Sequence, residues 1–476
     1  MAISSSLVGR SETAPQQNKE NLASNAAVRR LTGVYYTPST AAEFMTDWLV
    51  RYDGEHVMEP SFGEGIFLHS VGATATRRGF NRVQVTGIEI DPAALQREGR
   101  EHSPIREKLC YGDFLGVNPF PVQAVIGNPP YVRLRHLPDE QRQRATETAR
   151  VVMGHPMEPS GSVWMPFVLH AIRFLEKGGR MALVLPYELT YVRYARPLWN
   201  VLRNHFGSLR VIRTHERLFP DILQDVVLLL ADEHGGQTDQ VQYQAFERVN
   251  DLLEDRPVVN TPIIVEDLLQ GGRPFLEALL GADLRRLLRT RIANMTLPAR
   301  DLVTFNIGYV SGDKGFFHPD PATVEKYSLP ATSLYPSLTS TRSIRGGGLR
   351  TATIEADQME RLFLPGGSAV TQGEQSYIQW GEETEVSQRY KCQVRTPWYI
   401  VPGIRTPDVI LSVFSERPVL LINDAGCFAS NSLLCGFIRG ATTEEIATRW
   451  YTSLTLLQCE LQVHALGGGV MVVIPG

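Results

Sequence analysis

Between residues 31 and 235, short β-rich runs alternate with longer amphipathic stretches. That alternation has few folding solutions. Strands separated by helices pair in parallel, and the helices cover both faces of the sheet. The runs Val57–Glu59, Val83–Ile90, Ala124–Gly127, Arg180–Leu185 and Val226–Ala231 predict strands. Thr40–Tyr52, Gly65–Gly79, Pro92–Glu101 and Trp164–Glu176 predict helices, the first with apolar residues at Phe44, Met45, Trp48 and Leu49. The expected fold class is α/β with a mostly parallel sheet.

The flanks read differently. Residues 1–30 are rich in Ser, Ala, Gln and Asn without an apolar core, so they predict a disordered leader and no signal peptide. The Gly235-Gly236 pair marks a boundary after the domain at 31–235. Residues 236–300, with the Leu- and Arg-rich stretch Phe275 to Arg291, predict a helical connector. From Asp301 the chain turns to short strands and Gly-, Pro-, Ser- and Thr-rich turns, which predicts a β-rich or mixed domain over 301–476. The five cysteines, odd in number and without CxxC spacing, argue for a reducing, cytoplasmic setting and against a Cys metal site. Runs such as Val226–Ala231 and Val470–Ile474 are too short to span a bilayer, so no membrane partner is expected.

Three strand ends carry acids. Glu59 closes the first strand and is followed by Pro60-Ser61-Phe62-Gly63-Glu64-Gly65. In an open parallel sheet, ligands bind in the crevice outside the strands' carboxyl ends. Gly63 and Gly65 let the backbone approach a ligand, although such a turn by itself is equally a plain structural one. The loop is neither GxGxxG nor a Walker loop, so a phosphate cradle is not indicated. Glu89 ends the second strand, where a carboxylate accepts from ribose hydroxyls. Asp113 follows a third segment and can accept from an exocyclic amine, with Phe114 beside a ring. Acids rather than phosphate-binding amides suit a cationic adenosine ligand, S-adenosylmethionine.

The strand Ala124–Gly127 runs into Asn128-Pro129-Pro130-Tyr131. The prolines stiffen the loop and remove two donors. The Asn128 side-chain oxygen and the Pro129 carbonyl can then accept from one amino group, while Tyr131 offers a face for a planar base. This is chemistry for methylating an amino nitrogen whose lone pair is delocalised into a ring. Two acceptors favour a pyramidal nitrogen and aim its lone pair at the methyl donor, without a strong general base.

Together these residues resemble the TaqI-like, gamma-class adenine-N6 DNA methyltransferases of restriction–modification systems. The resemblance rests on Tyr36-Thr37-Pro38, the Glu59–Gly65 loop, Gly87–Asp91, Asp113-Phe114 and Asn128–Tyr131, in that order. It implies a class I S-adenosylmethionine-dependent methyltransferase with a Rossmann-like sheet, followed by a target-recognition domain. It further implies Thr37 and Glu59 near the methionine part of the cofactor, Glu89 on the ribose, Asp113 on the adenine amine, and Phe114 and Phe167 flanking the adenine. Asn128, Pro129 and Tyr131 would hold the target base. Phe219, seven positions before Val226, would stack on its other face; the competing reading is a core aromatic at a strand entrance. Lys177-Gly178-Gly179-Arg180 matches a turn behind the site and reads as structural. Asn306–Lys314, the Arg395-Thr396-Pro397-Trp398-Tyr399 region and Gly467–Val470 resemble the recognition region, beyond which the family usually continues.

A net charge of −4 at first excludes nucleic acid, but its distribution does not. Residues 131–217 hold 14 Lys/Arg and 7 Asp/Glu, a net of +7, which leaves −11 for the remainder. Arg133, Arg135, Arg142 and Arg144 follow the Asn-Pro-Pro-Tyr loop, and Arg193, Arg196, Arg203, Arg210 and Arg213 precede Phe219. Thr339–Arg350 and Arg389–Tyr399 are basic in the second half. Double-stranded DNA is the expected partner, with the base flipped out for reaction. The chemistry also admits an amino methyltransferase acting on RNA or protein glutamine, and the fold admits a non-catalytic DNA-specificity subunit. About thirty residues precede the motifs, too few for a nuclease domain. The expectation is modification without cleavage, with any cognate endonuclease acting separately.

Overall fold

The computed structural model describes residues 37–97, 105–219, 225–290, 299–344, 348–366, 370–415, 418–462, 464–465 and 471–472. The chain divides into two units, residues 1–282 and 283–476.

In the first unit nine strands form one sheet. They are β1 (His56–Glu59), β2 (Gln84–Glu89), β3 (Arg106–Tyr111), β4 (Val122–Gly127), β5 (Leu175–Pro186), β6 (Phe206–Thr214), β7 (Val226–His234), β8 (Gln240–Phe246) and β9 (Val259–Ile264). Their spatial order is β3-β2-β1-β4-β5-β7-β6-β8-β9. β1, β2, β3, β4 and β5 pair in parallel. β7 runs against both β5 and β6. The reason is connection length. Helix α1 (Ser39–Leu49) precedes β1, and α2 (Ile66–Arg78) crosses from β1 to β2. Helices α3 (Asp139–Met153) and α4 (Trp164–Ile172) cross from β4 to β5, and α5 (Arg196–His205) from β5 to β6. Only residues 215–225 separate β6 from β7, fewer than a parallel crossover needs, so that pair turns back on itself. This is the Rossmann-like sheet expected from the sequence, extended by β8 and β9.

Side-chain alternation builds the two apolar layers. Along β5, Met181, Leu183 and Leu185 face a layer with Trp164 and Val168 of α4. Ala182 and Val184 face the opposite layer, with Met45 of α1 and Val71 of α2. At the strands' amino ends, buried Arg180 pairs with buried Glu55. Arg180 Nε also donates to the Leu49 carbonyl, and the Arg51 amide donates to Glu55 at 2.8 Å. This staple ties α1, β1 and β5 together on the edge away from the acidic strand ends, in keeping with a structural role for the Lys177–Arg180 turn.

The five predicted strands are present, with boundaries shifted by a few residues. The helix expected over Trp164–Glu176 ends at Ile172 because Leu175 already pairs in β5. Pro92–Arg97 is helical, and residues 98–104 lie outside the described residues. The expected helical connector at 236–300 is corrected: β8 and β9 extend the sheet through Ile264. In β8, Val241, Tyr243 and Ala245 join one apolar layer with glutamines between them, and Gln244 is buried as well. Those glutamines hid it from a search for continuous apolar runs. Helices at Pro274–Glu277 and Ala282–Thr290 account for the Leu- and Arg-rich remainder.

The second unit is mixed and rich in short strands, as expected. β10 (Val303–Ile307), β17 (Leu433–Ile438), β13 (Val409–Ser412) and β15 (Leu420–Ile422) form an antiparallel sheet in that order. β12 (Glu360–Phe363), β11 (Leu334–Leu338) and β16 (Phe428–Ala429) form a second sheet, and β14 (Phe414–Ser415), β19 (Met471–Val472) and β18 (His464–Ala465) a third. An aromatic core centres on Phe316, stacked on Tyr377 at 4.7 Å between ring centroids. Tyr36, Arg345–Gly347 and Gly467–Val470, singled out in the sequence, lie outside the described residues.

Candidate active site at the carboxyl edge of the sheet

The strand order reverses between β1 and β4. β2 and β3 lie to one side, β5 and its successors to the other. The loops leaving β1 and β4 therefore diverge and leave a crevice at their carboxyl ends. The first is the Glu59–Gly65 loop and the second is Asn128–Tyr131. They approach closely: a Cβ on Gly127 would sit 3.2 Å from Pro60 Cδ. The Ser61 hydroxyl donates to the Asn128 carbonyl at 3.2 Å.

The acids form a row across β1, β2 and the segment after β3. Glu59 is 1% exposed, so its carboxylate sits within the crevice wall. Glu89 shapes the neighbouring loop. Its Oε2 accepts from the Gly63 amide at 2.9 Å, and its Oε1 from the Ile90 and Asp91 amides at 2.8 and 3.0 Å. A carboxylate offers about four acceptor positions. Three are filled by backbone, which leaves capacity for one hydroxyl. Gly63 and Gly65 adopt φ of 55° and 76°, in the left-handed region. The position of a Gly63 Cβ is open space with no atom within 4 Å, the kind of room a ligand needs. Asp113 Oδ1 accepts from the Leu115 amide at 3.0 Å, and Oδ2 pairs with Arg144 of α3 at 3.2 Å.

Phe114 and Phe167 come together beside Asp113, with ring centroids 5.2 Å apart. That spacing is direct ring contact. A third ring between them would need about twice a stacking separation, so the pair forms one wall rather than two sides of a slot. Phe114 also stacks on Phe174 at 5.4 Å and takes the edge of His170 at 4.8 Å. The acid row, the open glycine position and this apolar wall fit a cationic adenosine.

In the Asn128–Tyr131 loop, the Tyr131 hydroxyl donates to Asn128 Oδ1 at 2.7 Å and to the Val184 carbonyl at 3.1 Å. Asn128 Nδ2 faces the Thr37 hydroxyl at 3.4 Å. Pro129 is buried. Phe219 is buried too, in the apolar layer that also holds Leu218, Ile212 and Val226, against which Tyr131 packs. Its aromatic face is thus part of the core, the competing reading. Burial raises the phenols of Tyr187 and Tyr191, just after β5, the latter to about 12.

Sequence reading missed Ser61 and the Val184 carbonyl, and it set Arg144 among the arginines for DNA, whereas the structure pairs it with Asp113. Ser61 lay inside a recognised loop without distinction. Arg144 and Val184 reach the site only through folding. The same is true of the basic stretch. Of the nine arginines singled out in the sequence, six are paired: Arg133 with Glu188, Arg142 with Asp139, Arg144 with Asp113 and Glu140, Arg193 with Glu158, Arg203 with Glu266, and Arg213 with Asp225. In the second unit Arg350 holds Asp424 and Glu444, and Arg389 lies 3.6 Å from Asp313. Much of the local positive charge is therefore neutralised in three dimensions. Among the described residues no His, Cys, Asp and Glu cluster is fit to hold a metal ion, and no helix is long and apolar enough to cross a membrane.

Residues 20–193 match the family described as N-6 DNA Methylase, and residues 273–476 match the C-terminal domain of type II methyltransferase M.Eco57I. Each of these matches covers less than half of the chain. Among curated proteins, it is similar to type II methyltransferase M.AccI of Acinetobacter calcoaceticus, 21% identical over 86% of this chain and 76% of that one. It is similar to M.PaeR7I of Pseudomonas aeruginosa, 24% identical over 82% and 73%. It spans only 39% of M.BstVI of Geobacillus stearothermophilus. The fold resembles that of the type IIL restriction-modification enzyme MmeI, solved with DNA. That likeness has a TM-score of 0.52 at 12% identity, over 82% of this chain and 57% of that one.

Proposed function

We propose that this chain transfers a methyl group from S-adenosylmethionine to N6 of an adenine flipped out of double-stranded DNA, protecting that DNA within a restriction–modification system. The observation that carries the reading is the pairing of two loops at the switch point. The acid-flanked Glu59–Gly65 loop and the Asn128–Tyr131 loop meet there, joined by Ser61 and Asn128.

Thr37, Glu59, Gly63, Gly65, Glu89 and Asp113 would hold the cofactor, with Phe114 and Phe167 as the apolar wall beside its adenine. When bound, the cofactor supplies an electrophilic methyl group on a sulfonium. The protein's own work is alignment. Asn128 Oδ1 and the Pro129 carbonyl accept from the target amino group and direct its lone pair. Tyr131 supplies one aromatic face for the base. The motif order, cofactor loops before Asn128–Tyr131 and a recognition region after, is that of the gamma class. Reading of sequence falls to the second unit.

Labelled S-adenosylmethionine incubated with duplex DNA tests this. Label at adenine N6 supports the reading. Label only in RNA or protein, or none with intact cofactor binding, overturns it. Mapping the methylated adenines then supplies the recognition sequence.

A further inference from the structure

A cleft of about 510 Å³ opens in the second unit, where the end of β10 meets the segment 391–405. Asn306 and Ile307 form one wall; Lys391, Val394, Arg395 and Arg405 line the other. β10 is an edge strand of its sheet, so this wall is not covered by a further strand. Arg395 is committed to architecture: it donates to the Val310 and Ser311 carbonyls at 2.6 and 2.7 Å, tying the two walls together.

Two observations define what the cleft accepts. Its lining contains three cations and no carboxylate. Elsewhere in the same unit Lys314, Arg350 and Arg389 each hold an acid. Arg405 instead lies over the Phe437 ring at 4.4 Å. Stacking fixes a guanidinium plane and leaves its in-plane N–H donors for an anion. Second, apolar side chains stand in the open at the same place: Ile307 is 64% exposed and Val394 69%. The complement is a polyanion carrying small apolar groups. Duplex DNA is such a molecule, with phosphates along its backbone and a thymine methyl in the major groove.

We propose that this cleft is a DNA-reading site, in which Lys391 and Arg405 contact phosphates while Ile307 and Val394 pack against a thymine methyl and so select an A·T pair. The proposal rests on the methyltransferase reading and adds which residues of the second unit specify sequence.

The test uses the full chain and a fluorescent duplex bearing the mapped site, titrated over a range of salt. Lys391→Gln and Arg405→Gln should each weaken binding and reduce the salt slope by about 0.9, one phosphate's worth. Replacing the contacted thymine by uracil should weaken wild-type binding about fourfold, the value of one buried methyl group. The Ile307→Ala/Val394→Ala double variant should keep the wild-type salt slope and lose the thymine–uracil difference. A circular dichroism spectrum and thermal unfolding profile like those of the wild type show that each variant is folded. If the wild type methylates the duplex but the slopes and the thymine preference are unaltered by these variants, the cleft proposal is overturned and the methyltransferase reading stands. Altered slopes without thymine discrimination also overturn it, since base selection is its core. If the wild type binds cofactor but methylates no DNA, the underlying reading fails first.

Discussion

The Tyr131 hydroxyl shares its single proton between Asn128 Oδ1 at 2.7 Å and the Val184 carbonyl at 3.1 Å. The bond sets which end of the Asn128 amide is oxygen and turns its NH₂ toward Thr37. It joins the Asn128–Tyr131 loop to β5 and holds the amide in one orientation. A hydrogen bond of this type contributes about 1 kcal/mol. Tyr131→Phe keeps the ring and loses the bond, so kcat should fall about fivefold with cofactor affinity unchanged. Tyr131→Ala should cost substantially more, because the stacking face goes too. Equal turnover in Tyr131→Phe and wild type would remove the orienting role.

Asn128→Ala should bind S-adenosylmethionine normally, because the acid row on β1 and β2 is untouched. Turnover should fall by about 10²- to 10³-fold, as when one preorganised polar group is deleted at a reacting centre. Equilibrium cofactor titration beside single-turnover methylation separates the two effects. Wild-type turnover would exclude the amide from the chemistry.

Gly63 has φ 55° and open space where a Cβ would be. Gly63→Val should be strained by about 1–2 kcal/mol and should also intrude into the cofactor space. A cofactor affinity reduced more than tenfold, measured calorimetrically, is the expected result. Unchanged affinity would show that the cofactor does not pass this loop.

The buried Arg180–Glu55 pair stands apart from the chemistry. Arg180→Ala leaves a buried carboxylate alone and should destabilise the first unit by about 3–5 kcal/mol. Replacing both partners by Met and Leu should restore much of that loss. Denaturant unfolding followed by cofactor binding checks both.

His170 is buried against Phe114, with Nε2 on the Val117 carbonyl at 3.0 Å, and burial lowers its pKa. The unfolded chain therefore takes up the proton first. This contribution is intact above the ordinary histidine pKa near 6.5 and declines as pH falls below it, by at most about 1.4 kcal/mol per pH unit. His56 and His234 are lowered the same way. The melting temperature should drop between pH 7 and 5, and His170→Gln should flatten part of that slope.

Local pattern was enough for much of this molecule. The strand–helix alternation, the acids at Glu59, Glu89 and Asp113, and the Asn128–Tyr131 loop are each legible within a few residues, because a strand's carboxyl end and the turn after it are contiguous in sequence. β8 escaped notice because its glutamines alternate with buried residues, and β3 because a half-exposed edge strand mixes charge with apolar side chains.

What the sequence alone determined was therefore which chemical groups stand at which strand ends. Tertiary structure alone decided their partners. Arg144 reaches Asp113 across 31 positions, and Tyr131 meets the Val184 carbonyl across 53. Part of the net of +7 over residues 131–217 is offset by acids from outside the stretch, Glu55, Asp113, Asp225 and Glu266, and Phe219 is drawn into the core. Charge pairing and burial depend on distance in space, and a parallel sheet brings together segments that the chain keeps far apart.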